Sequence, residues 1–298
     1  MEEFFKILVP VDFCPGCINA FNLALSLAKK QDSKIYLTHI ISDPQIIDPL
    51  YSSDLYEKMS FEEVREELEK EMGEIYIKSS EGICEVEIQI AKGHPATEIV
   101  ELAKKVKTDM IVMATHARKG LTHTFIGSIA EKVLRTSSCP VLTVKLSLEI
   151  KPDKFDIKKI LVPVDLSEQS ERAFELSVKF AKLFNAHIEV FNVIQPISFY
   201  PYYYSDFFSR EGVIKRMVDE AKVRLDLLVE EKGQGYQNIT SQVIIGEPFN
   251  DILEKGKTIK ADLIVMGTHG RTGFSHLLMG SVAERVVRLA NCPVLTVK

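Results

Sequence analysis

The heptapeptide Lys6-Ile7-Leu8-Val9-Pro10-Val11-Asp12 recurs 153 residues later as Lys159-Ile160-Leu161-Val162-Pro163-Val164-Asp165. The same offset carries Gly93 and Pro95 onto Gly246 and Pro248, and Ile111-Val112-Met113 onto Ile264-Val265-Met266. It also carries Gly127-Ser128 onto Gly280-Ser281, and Cys139 to Lys145 onto Cys292 to Lys298. An offset held across separated landmarks leaves little room for net insertion, so the two halves share a fold and not merely a motif. The chain of 298 residues is expected to divide into domains at 1–146 and 155–298, joined by a linker at 147–154 that carries Pro152 and mixed charges.

Within a repeat, short β-branched runs alternate with longer stretches of helical period, the pattern of βαβ units and a parallel sheet. In the second half the strands are expected near 159–164, 187–194, 239–245, 262–267 and 293–298, with helices near 167–184, 213–231, 248–257 and 281–290. Strands this apolar need cover on both faces. The expected class is α/β: two tandem doubly wound domains, each a five-stranded parallel sheet between helices.

A composition of 46% hydrophobic and 27% charged residues is ordinary for globular proteins, and a net charge of -5 argues against nucleic acid as a partner. No apolar run reaches the roughly 18 residues that cross a bilayer, and Met1-Glu2-Glu3 lacks the basic start of a signal peptide. A cytoplasmic protein without membrane attachment is expected. Five cysteines, two of them in Cys-Pro-Val-Leu-Thr-Val-Lys segments, read as small buried side chains and not as a disulfide framework.

In an open parallel sheet, ligands collect at the carboxyl ends of strands that flank a reversal of strand order. Strand one ends there with Pro163-Val164-Asp165, and in the first half with Asp12. Asp165 or Ser167 could equally cap the helix that follows. Strand four runs into Gly267-Thr268-His269-Gly270-Arg271-Thr272-Gly273, and the next helix opens with Gly280-Ser281-Val282. Glycines at 267 and 270 are expected to let the backbone approach a ligand and to take positive φ. Gly280 and Ser281 would offer helix N-terminal amides and a hydroxyl to an anion. The set suits a polyphosphate. It lacks the Gly-x4-Gly-Lys-Ser/Thr phosphate loop, and its glycine spacing and position are wrong for a dinucleotide dehydrogenase.

Gly267, two residues, Gly270, nine residues, Gly280 and Ser281 together resemble the ATP-binding signature of the universal stress protein (UspA) family. Pro-Val-Asp at strand one and the terminal Cys-Pro-Val-Leu-Thr-Val-Lys add to the resemblance, which covers nearly the whole chain as two copies. It implies a tandem member with strand order 3-2-1-4-5 that binds ATP, with Mg²⁺ or Mn²⁺ held through the phosphates. It places Pro163, Val164 and Asp165 at the adenosine, Val193 as a backbone contact for adenine, and Met266 and Gly267 along base and ribose. Gly270, Arg271, Gly280, Ser281 and Val282 would surround the phosphates. It also implies that the two halves pair with each other through their last strands, and that the chain forms a homodimer and serves an unnamed protein partner.

The first repeat reads Ala114-Thr115-His116-Ala117 where the second has Gly267 and Gly270. Its degenerate site would comprise Asp12, Ile40, Ala114, Ala117, Gly127 and Ser128, weakened or emptied by the two added β-carbons. The expected function is a nucleotide-dependent stress-response or signalling module with its site in the C-terminal domain. No nucleophile with an adjacent base and acid can be assembled, so no catalytic residues are assigned. Two alternatives stand: a slow ATPase using Asp165, His269 and a metal-activated water, or a thiol-redox or metal-binding module at Cys14 and Cys17. These cysteines align with Ser167 and Ser170, which makes helix capping the plainer role. His116 and His123 recur as His269 and His276, a spacing suited to packing or phosphate contact more than to metal ligation. The aromatic run at Phe199, Tyr200, Tyr202, Tyr203, Tyr204, Phe207 and Phe208 reads as a lid or as cover for a helix.

Overall fold

The computed structural model describes residues 5–42, 60–115, 126–195, 210–270 and 279–298. The aromatic run at 199–208 lies outside them. The chain separates into two units, Met1–Phe155 and Asp156–Lys298.

The first unit runs β1 (Phe5–Pro10), α1 (Pro15–Ala28), β2 (Ser33–Ile41), α2 (Phe61–Met72), a π-helical turn (Gly73–Ile77) and α3 (Lys78–Ser80). It continues with β3 (Glu85–Lys92), α4 (Pro95–Val106), β4 (Met110–Ala114), α5 (Ser128–Thr136) and β5 (Val141–Val144). The second comprises β6 (Lys159–Pro163), α6 (Glu168–Phe184), β7 (His187–Ile194), α7 (Arg210–Lys232) and β8 (Ile239–Ile245). It closes with α8 (Pro248–Ile259), β9 (Leu263–Gly267), α9 (Ser281–Leu289) and β10 (Val294–Val297).

Strand order is β3-β2-β1-β4-β5 in the first unit and β8-β7-β6-β9-β10 in the second, with parallel pairing throughout each. This is the 3-2-1-4-5 order twice. The 153-residue offset reappears in the cross-strand register: Ile7 opposes Met110 as Ile160 opposes Leu263, and Ile35 opposes Val86 as Ile188 opposes Ile239. A slip of one residue would turn every side chain of a strand to the other face, so equal registers mean equal cores. Ile7, Leu8 and Val9 are consecutive and all 0% exposed, as are Ile160, Leu161 and Val162. Neighbours in a strand point to opposite faces, so both faces of each central strand are covered. Phe21 and Phe174, at matching positions of α1 and α6, fill the same place beneath.

Local signals set the helix ends. Pro95 and Pro248 open α4 and α8, where a missing N–H costs nothing, and left-handed Lys107 and Lys260 close them. The left-handed cap lets α8 run to Ile259, two residues past the expected end, and α7 begins at Arg210 instead of 213. Cys139 and Cys292 precede β5 and β10, and Cys84, Cys139 and Cys292 are only half-buried, so burial is not the common property of the cysteines. Among the described residues no helix is long and apolar enough to cross a membrane.

Opposite the carboxyl ends, an aspartate before strand four ties it to the start of strand one. Asp262 Oδ2 accepts the backbone N–H groups of Lys158 and Lys159, both at 2.9 Å, and Asp109 Oδ2 accepts that of Lys6 at 2.8 Å. Charge-assisted bonds at an exposed site sit at the low end of their range, so Asp262→Ala should cost about 1–2 kcal/mol. The check is urea denaturation, where the midpoint should fall at unchanged slope.

Candidate functional site

Strand one passes into its helix through a strained turn in both units. Leu166 has φ 62° and Phe13 has φ 60°, left-handed values that cost a bulky residue about 1 kcal/mol or more. The turn returns the preceding carboxylate to the start of the helix. Asp165 Oδ1 accepts the Ser167 hydroxyl at 2.6 Å and its N–H at 3.1 Å, while Ser167 caps α6 in a reciprocal box with Ser170. Ser167 is therefore the cap, and Asp165 supports it from outside the helix.

A side chain from strand two pins the carbonyl just before each aspartate. Asn192 Nδ2 donates to Val164 O at 2.6 Å, and at the matching position His39 Nδ1 bonds Val11 O at 2.8 Å. A carbonyl only accepts, so Nδ1 carries the His39 proton. Burial lowers the His39 pKa, opposed by the Val11 bond and by the charges of Asp12 and Glu71. Asn192 Oδ1 is buried with no hydrogen-bond partner. Neither residue was singled out from sequence, although the repeat offset pairs them.

The glycines after strand four are required by close approach, which corrects the expectation of positive φ: neither Gly267 nor Gly270 is left-handed. A β-carbon on Gly267 would lie 3.1 Å from the carbonyl carbon and Cβ of Gln169 and from the Ser170 nitrogen. A β-carbon on Gly270 would collide with Asp165 Oδ2. The loop therefore folds directly over the start of α6 and the strand-one aspartate. In the first unit the Gln169 position is Gly16, buried at the start of α1. At the paired positions the side chain stands on the helix in the second unit, as Gln169 beside Gly267, and on the strand in the first, as Ala114 with Gly16. Ala114 is not left-handed either, so its β-carbon brings no backbone strain.

Gly280 caps α9 with no side chain, its N–H donating to Thr268 O at 2.8 Å, and a β-carbon there would lie 3.1 Å from the same oxygen. Gly127 caps α5 in the same way, donating to Thr115 O at 2.8 Å. Exposed Ser281 and half-buried Val282 open α9, as exposed Ser128 opens α5. His269 Nδ1 lies 3.0 Å from Thr268 Oγ1, and its buried Nε2 has no partner. Pro163, Val164 and Met266 are buried at their strand ends, and Val193 in β7 is half-buried opposite Ile244. In the first unit Asp12 is exposed and Ile40 is buried in β2. Arg271, Ala117, His116, His123 and His276 lie outside the described residues. The structure thus brings Asp165, Gly267, Gly270 and the first turn of α6 together, with Gly280 joined to the same loop through Thr268.

Cys14 occupies the N-cap of α1 but makes no capping bond with its side chain, which overturns capping as the role of the cysteine pair. Sulfur is a weak acceptor, and the hydroxyls that perform this task in α6 have no equivalent in α1.

The universal stress protein family matches residues 3–145 and again 156–298. Universal stress protein MJ0531 of Methanocaldococcus jannaschii is 39% identical over 148 residues, 47% of this chain and 82% of that protein. Universal stress protein YxiE of Bacillus subtilis is 31% identical over 48% of this chain and 99% of its own length. A universal stress protein from Archaeoglobus fulgidus DSM 4304 shares the fold over 99% of both chains, with TM-score 0.68 at 22% identity.

Gly267→Ala should destabilise the second unit by about 1 kcal/mol or more, and Gln169→Gly should recover part of that loss in the double variant. A double-mutant cycle by urea denaturation reads the coupling; strict additivity would show that the two positions do not share space. His39 lowered in the folded state means that the unfolded chain takes up its proton first, so stability contributed by neutral His39 is lost as pH falls below the ordinary 6.5. NMR titration should place the His39 midpoint below that value, and His39→Asn, copying the second unit, should remove this part of the acid sensitivity.

Proposed function

We propose, from the premise that this chain belongs to the universal stress protein family, that its C-terminal half binds an adenine nucleotide such as ATP and works as a nucleotide-dependent stress-response or signalling module. The observation that carries the reading is the fit of Gly270 against Asp165, where a β-carbon would displace the carboxylate, beside a helix whose N-cap is another side-chain-free residue. Close packing accounts for the bare backbone itself, and a ligand lying over Gly270 and Asp165 would use the same opening at the mouth of the sheet.

The residues suit the parts of such a ligand. Asp165 can accept from ribose hydroxyls. Asn192 Oδ1, a buried acceptor without a partner, suits an N–H donor such as the adenine amino group, with Val193 beside it along β7. The first amides of α9 and the Ser281 hydroxyl suit phosphate oxygens, helped by the helix dipole, and Arg271 would add charge. A divalent cation, Mg²⁺ or Mn²⁺, would ride on the phosphates.

The N-terminal half is the poorer site, with Ala114 in place of Gly267. Ala117 stands where the second unit has Gly270, and Asp12 is engaged by Cys17. The reading is therefore asymmetric, with one nucleotide per chain.

Calorimetric titration of nucleotide-stripped protein with Mg-ATP should give one site per chain. Gly270→Ala should weaken it about a hundredfold, a loss of about 2.8 kcal/mol. Two equal sites would overturn the asymmetry, and no heat together with no competition by other adenine nucleotides would overturn nucleotide binding.

A further inference from the structure

In the first unit the aspartate at the strand-one turn meets sulfur where the second unit meets oxygen. Cys14 Sγ and Cys17 Sγ are 3.0 Å apart, and Cys17 donates its S–H to Asp12 Oδ1 at 2.9 Å. The Cys14 N–H donates to the same carboxylate oxygen at 3.2 Å, and the Asp12 N–H points to Cys17 Sγ at 3.4 Å. A backbone bond from Cys17 N–H to Cys14 O, 2.9 Å, closes the turn that sets the two side chains together. Tyr76 lies in the π-helical turn, 1% exposed, and its buried hydroxyl has no partner. Burial, then the charges of Cys17, Cys14 and Asp12, raise its pKa, which places that hydroxyl within electrostatic reach of the cluster. The repeat offset pairs Tyr76 with Val229, so the tyrosine and both thiols belong to the first unit alone.

We propose that Cys14 and Cys17 are a redox-active dithiol that closes to a disulfide by exchange with small organic disulfides, with Asp12 as the acceptor of the Cys17 proton. Two bland roles fail on geometry. The pair does not cap α1. Nor is it spaced for a metal: Asp12, Cys14 and Cys17 gather within 4.8 Å, but two thiolates on one tetrahedral zinc, each at about 2.3 Å, stand about 3.8 Å apart. At 3.0 Å the sulfurs stand about 0.8 Å closer than two thiolates sharing a zinc and about 0.95 Å short of a disulfide bond of about 2.05 Å. With Cys14 7% and Cys17 4% exposed, a small reagent fits the access better than a protein partner.

The steps balance. Cys14, the less covered residue, loses its thiol proton to solvent and attacks one sulfur of RSSR. This forms a mixed disulfide and releases RS⁻, which takes a proton from solvent. Cys17 is held protonated first by its hydrogen bond with Cys14, then by burial and the Asp12 charge. Bonding of Cys14 to RS removes the first restraint. Cys17 then passes its proton to Asp12 and attacks the Cys14 sulfur, expelling the second RS⁻, which is protonated from Asp12 through solvent. Two thiols are oxidised to one disulfide and RSSR is reduced to two RSH. Closure also removes the S–H donor from Asp12. The proposal concerns the N-terminal unit only and is independent of nucleotide binding in the other.

The test incubates the whole protein with 2-hydroxyethyl disulfide and 2-mercaptoethanol at varied ratios, then quenches with acid, alkylates, digests with trypsin and weighs peptide 7–29. Oxidation should remove both alkylation sites and about 2 Da from that peptide, reversibly with excess thiol. Cys17→Ser should leave a hydroxyethyl adduct on Cys14. Asp12→Asn should slow closure about tenfold or more near neutral pH and flatten its pH profile, which a merely structural aspartate would not do. The double variant Cys14→Ser with Cys17→Ser, which copies the second unit, should fold and show no such chemistry. Cysteines that stay alkylatable at every ratio in protein with a native circular dichroism spectrum would overturn the proposal. So would a Cys17→Ser adduct that forms no faster at Cys14 than at Cys84.

Discussion

Each unit depends on three pieces of backbone meeting in one crevice: the end of strand one, the start of the helix after it, and the loop after strand four. In the second unit, Gly267 lies against Gln169 and Ser170 while Gly270 lies against Asp165, both within the space of a single β-carbon. Parallel pairing of β6 with β9 brings these segments to the same edge, because the reversal of strand order places strand one beside strand four. The strained turn at Leu166 follows from the same crowding, since the chain must leave the strand and begin a helix within a few residues. A crevice at this place is a consequence of the topology, and the loop residues set its chemistry.

The first unit meets the same constraint with other residues. Gly16 stands where the second unit has Gln169 and Ala114 where it has Gly267, and His39 bonds the carbonyl that Asn192 bonds in the second unit. These exchanges preserve geometry and change chemistry. An amide has no titration near neutrality, whereas an imidazole does, and burial lowers the His39 pKa. Phe13 also packs on His39, with ring centroids 5.0 Å apart, so the strained residue of the turn helps bury the group that pins it.

The repeat made the fold legible. One offset, read along the chain, reappears as one register across the strands, and the apolar runs at 7–9 and 160–162 are the strands covered on both faces. The site was legible in part. Gly267, Gly270 and Gly280 stand out by their spacing, but the positive φ expected of the first two is absent, because a sequence shows a missing β-carbon without showing whether φ or a neighbour forbids it. Phe13 and Leu166 carried no signal, since bulky residues do not announce a left-handed backbone. Tyr76 was invisible for a related reason: a π-helical turn shifts the face a residue presents, and helical periodicity assumes it does not.

The two aspartates show how far one scaffold can carry two chemistries. Around Asp165 the Ser167 hydroxyl and N–H donate, and neither bond depends on the redox state of its donor. Around Asp12 the side-chain donor has moved from the first position of the turn to the second, from Ser167 Oγ to Cys17 Sγ. A thiol is a weaker donor than a hydroxyl, and Cys14 supplies no cap, so this arrangement gives up about 1 kcal/mol of local stability relative to a capped helix. What it gains is a donor that bond formation between two sulfurs can remove. The same turn that fixes a carboxylate in one unit makes its hydrogen bonding conditional in the other.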